Sequence, residues 1–499
     1  MSPLRSWPLA HCIAGFLATC LLAAPGHAVE RQLSLDEAIQ QALRANLGLQ
    51  IEKLQPEISR AELERQLGLY GLRAGFNTLL NQDLSPSSTS FIEGASILNQ
   101  LRQNYNLFLE QDLPSGGNLA LNFNNGVLST NSSRVDVNPA ITPQISLDLR
   151  HPLLRNTFNG LRQLEVTENQ VVSAVWNLKQ EAINTVAEVQ SAYWGLVLFR
   201  ERLRVLEQSL SILEELQRIN KEKEKAGFVA PIDNLQTEAR IASLQANLLD
   251  ARRNLANAED QLKQLLNPEA DPALNWDVDL IPTDRPAFEP YAVALEQSYT
   301  AALKARPDYQ VQLIEYANTG LREQTASQNL LPQLDFTGSA GLESLDSNYV
   351  GALGKLFSFQ TYGWNLGLSF EMPVIGNPYA SVHTQTRLQQ QQQELRLNNF
   401  RQQIQRDLRQ AVRNVEMSAR QVEATRLAKR LAEEQLKAQT EKLNLGMTTN
   451  FQVLQFQTDF VQASLDEVNA IVQYTQAINQ LQRSEGTLLE ARRIEWLTP

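Results

Sequence analysis

The sequence predicts an α+β membrane protein: strands of a shared transmembrane β-barrel and long α-helical coiled-coil hairpins, built from two internal repeats. Three observations carry this reading. Two segments, within 72–150 and 333–372, alternate apolar and polar residues at the period of a strand. Each is followed by a helical pattern of about 65 residues, on the order of 100 Å at 1.5 Å per residue. The second half repeats the order of the first: helix, strands, long helix, glycine turn, helix.

The first 28 residues read as a secretory signal. Arg5 supplies the positive end, Ile13 to Ala24 the apolar core, and Gly26-His27-Ala28 a small-x-small cleavage site. Both cysteines, Cys12 and Cys20, fall inside this segment, which excludes a disulfide scaffold or thiolate metal site in the mature chain. Lipid attachment at Cys20 is the weaker reading, since Thr19 is a poor neighbour for it and the apolar core runs on through Ala24. Beyond residue 28 no apolar run approaches the ~20 residues of a membrane helix, so an exported chain is either soluble or inserts as a barrel.

Residues 33–70 read as helix, opening at Ser34 with Asp36 and Glu37 in the first turn, until Gly68, Gly71 and Gly75 break the pattern. Phe76 to Leu80, Tyr105 to Leu109, Leu119 to Phe123 and Ile145 to Leu149 then alternate. Pro114 to Asn118 is a turn, and Ser85 to Ser90 and Ser129 to Pro143 read as exposed loops. Four or so short strands cannot close a water-filled barrel, so the barrel must be shared between chains.

A helical hairpin follows over 161–266. Its second arm carries an unbroken seam of Ile241, Leu244, Leu248, Ala251, Leu255, Ala258, Leu262 and Leu265, the spacing of coiled-coil packing. Asn267-Pro268 stops it. Five prolines in 268–290 mark a linker or small packed connector. Tyr291 to Leu331 is again helical, Leu334 to Leu342 and Tyr362 to Phe370 alternate, and a second hairpin spans 376–489 with Leu408, Val415 and Val422 on one seam. The division is therefore signal 1–28, first repeat 29–267, connector 268–290, second repeat 291–490 and tail 491–499.

Ala42-Leu43-Arg44-Ala45 corresponds to Ala302-Leu303-Lys304-Ala305 at an offset of 260, whereas Gly227 and Gly446 are 219 apart. The missing 41 residues belong to the longer strand region of the first half. Two strands per half, or an extra hairpin at Tyr105 to Phe123, both remain open at this point.

The two glycine turns, Ala226-Gly227-Phe228-Val229 with Ile232-Asp233 and Leu445-Gly446-Met447, combine with the strand-to-helix stretch His151-Pro152-Leu153-Leu154-Arg155. In this order, over nearly the whole chain, they resemble the TolC-like outer-membrane efflux family. The resemblance implies a homotrimer in the outer membrane of a Gram-negative bacterium, in contact with outer-membrane lipid and extending into the periplasm. It implies an outer-membrane channel of a tripartite efflux or type I secretion system, which passively conducts cargo passed to it by an inner-membrane transporter. It also joins the long helices into a coiled-coil barrel that continues the β-barrel, with the connector in a belt around this tunnel and both glycine tips at the inner mouth, against a periplasmic adaptor. Whether drugs, metal ions or proteins pass is left open.

By that resemblance Asp233, Thr448, Gln452 and Gln455 form the pore constriction, and Gly227, Phe228, Val229, Gly446 and Met447 the adaptor-contact tips. Relatives commonly carry charge where Gln452 and Gln455 stand, and a base where Thr448 stands. A glutamine ring selects ions weakly, so the expectation is a weakly cation-selective entrance held by neutral hydrogen bonds among Thr448, Gln452 and Gln455, and gated mainly by adaptor contact. Phe357, Phe359, Tyr362 and Trp364 are either an aromatic girdle or packing between strands.

A net charge of −11 and pI near 5.1 argue against a nucleic-acid partner. His151 and His383 are isolated, and there is no nucleophile–base pair or phosphate loop, so no catalytic, cofactor or metal residue is assigned. A soluble periplasmic coiled-coil scaffold or adaptor is the alternative; it has no need of two strand sets placed symmetrically in two halves.

Overall fold

The computed structural model describes residues 30–226, 231–272, 274–285 and 287–495, with the backbone alone at 233 and 444. The signal segment lies outside the described residues. Element order is β1 (Glu30–Leu33), α1 (Leu35–Ala45), α2 (Leu47–Gly68), β2 (Arg73–Pro86), α3 (Ser90–Glu93), β3 (Ile97–Asp112), β4 (Asn118–Thr130), β5 (Ala140–Pro152), α4 (Asn159–Lys225) and α5 (Pro231–Leu266). After the connector strand β6 (Asp279–Pro282) come α6 (Leu295–Ala305), α7 (Pro307–Gln328), β7 (Gln333–Glu343), α8 (Tyr349–Leu356), β8 (Tyr362–Glu371), α9 (Pro378–Asn444), α10 (Asn450–Glu485) and α11 (Leu488–Ala491).

Ser34 caps α1 as the sequence predicts: its hydroxyl accepts the Glu37 N–H while the Glu37 carboxylate accepts the Ser34 N–H. The single helix expected over 33–70 is two helices. Asn46 ends α1 and caps α2 with its side chain, which accepts the Leu49 N–H at 3.1 Å and donates to the Leu265 carbonyl at 3.0 Å. The equivalent break in the second half falls at Arg306-Pro307, where proline lacks the N–H to continue α6.

There are six strands in one antiparallel sheet among the described residues, in the order β2-β3-β4-β5-β7-β8, so the extra hairpin that the sequence left open is present as β3 and β4. They are 10 to 16 residues long, enough to cross a bilayer when tilted. The polar stretches read as loops are partly strand. Ser85 and Pro86 belong to β2, Ser129 and Thr130 to β4 and 140–143 to β5, while Gln100, Arg102, Asn104 and Asn106 line one face of β3.

The register keeps one apolar face across every strand: Phe76 and Leu80 stand beside Leu107 and Gln103, then Leu107 and Leu109 beside Phe123 and Leu121. Leu121 pairs with Leu147, Leu147 with Ala340, and Phe336 with Leu368. The opposite face carries Asn77, Asn106, Asn122, Asp148 and Arg150. These cross-link the strands: Asn106 donates to Asn77 at 2.9 Å, Asn122 to Asp148 at 2.8 Å and Arg150 to Asp335 at 2.8 Å. Along β3 the apolar face is the more exposed of the two, as on the outer side of a curved sheet.

Of the aromatics named above, Tyr362 and Trp364 stand on the apolar face of β8, and Phe357 and Phe359 lie exposed just before it. All four are exposed and not packed between strands.

Below the sheet the helices form three apolar cores. The seams at Ile241, Leu244, Leu248 and Ala251, and at Leu408, Val415 and Val422, are buried as their spacing requires. The connector is packed. Strand β6 pairs in parallel with β1, and Leu274 and Leu280 enter a core with Leu33, Ile183, Tyr193 and Leu262 beside the middle of α4. No helix among the described residues is long and apolar enough to cross a membrane.

The candidate pore entrance

Helices α4 and α5 form one hairpin and α9 and α10 the other, with α10 packed against both α4 and α9, so the two hairpins lie side by side. Gly227, Phe228 and Val229 lie outside the described residues, as does the Asp233 side chain. At the second turn Gly446 has φ +70°, the left-handed backbone that glycine adopts without strain. The Gly446 N–H donates to the Leu443 carbonyl at 3.1 Å and the Met447 N–H to the Lys442 carbonyl at 2.9 Å, which satisfies two carbonyls that a helix end leaves open. Thr449 then caps α10 by accepting the Gln452 N–H.

Thr448 Oγ1 donates to Gln452 Oε1, so two of the three neutral residues named above are joined. Gln455 is not part of that bond; its amide donates to Asp459 at 3.3 Å. Asp459 follows Gln452 and Gln455 at seven and four residues, hence on the same helical face, and all three are exposed. Sequence reasoning stopped one turn short of this carboxylate. It also missed Arg240 on α5, which donates to Thr458 Oγ1 at 2.6 Å. At the end of α4, Lys225 lies 2.9 Å from Glu222 and holds its carboxyl below the usual range.

Behind the exposed face the two hairpins are tied by buried polar groups. Thr237 Oγ1 accepts from Asn450 at 3.1 Å and from Asn220 at 3.4 Å, and Gln457 donates to Ser209 at 3.4 Å. Among the described residues, the Asn450 Oδ1, Gln457 Oε1 and Gln236 Oε1 atoms are buried without a partner. Around these groups Leu445, Met447, Phe451, Ile232 and Leu235 are all more than half exposed, an apolar tip of which sequence reasoning named only Met447. Above it, a groove of about 550 Å³ between α4, α9 and α10 is lined by Ile212, Leu216, Ile219, Leu436, Leu443 and Phe460.

Residues 104–268 and 299–487 match the family described as outer membrane efflux protein. The chain belongs to that family. Over 281 residues it is 27% identical to the outer membrane protein TolC of Escherichia coli (strain K12), an alignment covering 53% of each chain and so about half that relative's length. A membrane protein from Pseudomonas aeruginosa shares the fold with a TM-score of 0.67 at 17% identity, over 91% of this chain and 93% of that one. The CmeC outer membrane channel of Campylobacter jejuni does so with a TM-score of 0.65 at 16% identity, over 91% and 86%. As a member of the outer membrane efflux protein family the chain resides in the outer membrane and reaches into the periplasm. Its architecture, a barrel sheet continued by long paired helices in two repeats, is the one expected.

Proposed function

We propose that three copies assemble about one axis into a duct that passively conducts substrates from an inner-membrane transporter across the periplasm and the outer membrane. One observation carries this: a sheet with one apolar face and two unpaired edges, β2 and β8, runs directly into helices of 67 residues. Unpaired N–H and C=O groups do not persist in lipid, so the edges must close on a copy of the chain. Each long helix spans on the order of 100 Å, ample to bridge a periplasm. The duct does no chemistry of its own in this reading.

Dissociation of the assembly on heating, followed in the outer-membrane fraction, tests the proposal. A heat-labile trimer is expected, whereas a monomer in the soluble periplasm would sink it.

The inner mouth is proposed to be the gate. Asp233, Thr448, Gln452 and Gln455 are its lining, joined by Asp459, and the exposed apolar tip is the adaptor's docking surface. With carboxylates offset by Arg240, weak cation selectivity is expected. Single-channel recordings of Asp459→Asn and Asp233→Asn should lower that selectivity stepwise; strong selectivity surviving both changes would refute this lining.

A further inference from the structure

We infer that all six strands of each copy stand in the barrel wall, so that three copies close a ring of eighteen strands, six from each. The inference rests on the trimer proposed above and adds to it the barrel's composition and width. The second half contributes a single pair, β7 and β8. If the first half did the same, the ring would hold twelve, and β3 and β4 would be an appendage outside it.

The pattern of the sheet argues against an appendage. Strand β3 is hydrogen-bonded to β2 along its whole length, from Arg73–Glu110 to Pro86–Ile97, and β4 to β5 from Asn118–Arg150 to Leu128–Ala140. The hairpin therefore sits between the first and last strands of its half, where removing it from the wall would break both ladders. Its faces match its neighbours: Leu107 and Leu121 share the apolar face with Leu147, while Asn104 and Asn122 share the polar one. A loop folded over the mouth would have no reason to keep that alternation in register with the wall. The Phe108 ring also lies over Gly75, filling the space that glycine leaves and pinning β3 to β2.

Size agrees. With about 4.8 Å between strands and a tilt near 40°, eighteen strands give a perimeter of about 110 Å and a diameter of about 36 Å, against about 75 Å and 24 Å for twelve. Below the sheet each copy presents four helices side by side, α2, α4, α7 and α9. Twelve such helices at axis spacings of about 8–10 Å make a ring of about 100–120 Å. An eighteen-stranded barrel thus continues the helical tunnel without a taper, and its outer mouth admits solutes about half as wide again as a twelve-stranded ring would.

The test is lipid contact. Single cysteines at Leu107, Leu121, Asn104, Asn122 and Leu147 are labelled with a small fluorophore in the full trimer, reconstituted in vesicles containing spin-labelled phospholipid. Quenching several-fold at Leu107→Cys and Leu121→Cys, equal to that at Leu147→Cys, with little at Asn104→Cys and Asn122→Cys, is the expected result. Quenching at Leu147→Cys alone would put the hairpin outside the wall and overturn the eighteen-stranded barrel while leaving the duct intact. No quenching at Leu147→Cys either would overturn both. Tyr105→Cys and Phe123→Cys, on the same face, replace either leucine variant that is not recovered as a trimer.

Discussion

The two halves of the chain have helices of equal length and sheets of unequal size. Helices α1 and α6 are both 11 residues, α2 and α7 both 22, α4 and α9 both 67, and α5 and α10 both 36. Yet the first half has four strands between its helices and the second has two. All of the 41-residue difference falls between α2 and α4. A helix in a shared tunnel has its length set by its neighbours, since both hairpins must reach the same inner end. A strand pair can be added to a meander without moving anything else, because a closed sheet only grows in girth. Length is constrained along the axis and free around it.

If both halves share one membrane wall, they should suffer equally from charge on its outer face. Leu147→Arg in the first half and Leu366→Arg in the second are each expected to cost about 2–4 kcal/mol near the bilayer midplane. Both should show as a lower temperature of trimer dissociation. A large loss for one and none for the other would mean that the halves do not meet the same lipid.

The next comparison concerns the belt, which each half pins with one buried tyrosine. Tyr193 on α4 donates to Asp284 at 2.7 Å, and burial together with that carboxylate pushes its phenol far up, so it stays a donor. Tyr474 on α10 donates to the Glu289 carbonyl at 2.7 Å and accepts the Tyr291 N–H at 2.9 Å. Removing either hydroxyl deletes the hydrogen bonds it makes from a buried ring, at about 1–3 kcal/mol in all. Tyr193→Phe and Tyr474→Phe should therefore loosen the connector near its C-terminal end, at Asp284 and at Glu289, read as faster amide exchange at Leu35 and Tyr291 respectively. Unchanged exchange in both would remove the tyrosines from any pinning role.

A smaller effect is expected at the tip. Gly446→Ala places a side chain on a backbone at φ +70°, at roughly 1–2 kcal/mol. Nothing lies within 4 Å of the Cβ so added, so the whole effect is backbone strain. It should appear as local fraying at the α9–α10 turn with the trimer intact; loss of the trimer would show that the turn carries contacts between copies.

How much of this could be read from the sequence depended on which interactions set each element. The hairpin seams were legible because Leu408, Val415 and Val422 recur at the coiled-coil period and pack on their own neighbours. The breaks at Asn46 and Arg306-Pro307 were missed because the amphipathic pattern continues across them; only the capping side chain and the proline mark the boundary. Strands β2 to β5 were located by their alternating centres but read too short, because a barrel wall is polar on one side and Asn and Gln on that side resemble loop. Near the second turn the Thr448–Gln452 bond was legible; Asp459 was passed over although it lies one turn further along the same face of α10, and Arg240 reaches Thr458 only because two hairpins from distant parts of the chain lie together.

The smallest expected effect follows from a substitution that evolution has already placed in one half. Arg200 and Glu259 form a 3.1 Å ion pair between α4 and α5. At the offset of 219 their counterparts in the second half are Ala419 and Ile478, which pack against an apolar core. Burial raises the Glu259 carboxyl above its ordinary range, and the Arg200 guanidinium only partly offsets this. The folded chain then holds this proton more tightly than the unfolded one, so the group's contribution to stability is greatest at low pH. That contribution falls as pH rises from the ordinary carboxylate range through the raised folded value. Melting curves from pH 4 to 8 should accordingly show a shallower downward trend with rising pH for Glu259→Gln than for the parent chain. The pair Arg200→Ala with Glu259→Ile, which copies the second half, should melt no lower at pH 8, because replacing a buried ion pair by apolar packing is often neutral or stabilising. A clear loss of stability in that double variant would mean that the first half needs its ion pair for something the second half does without.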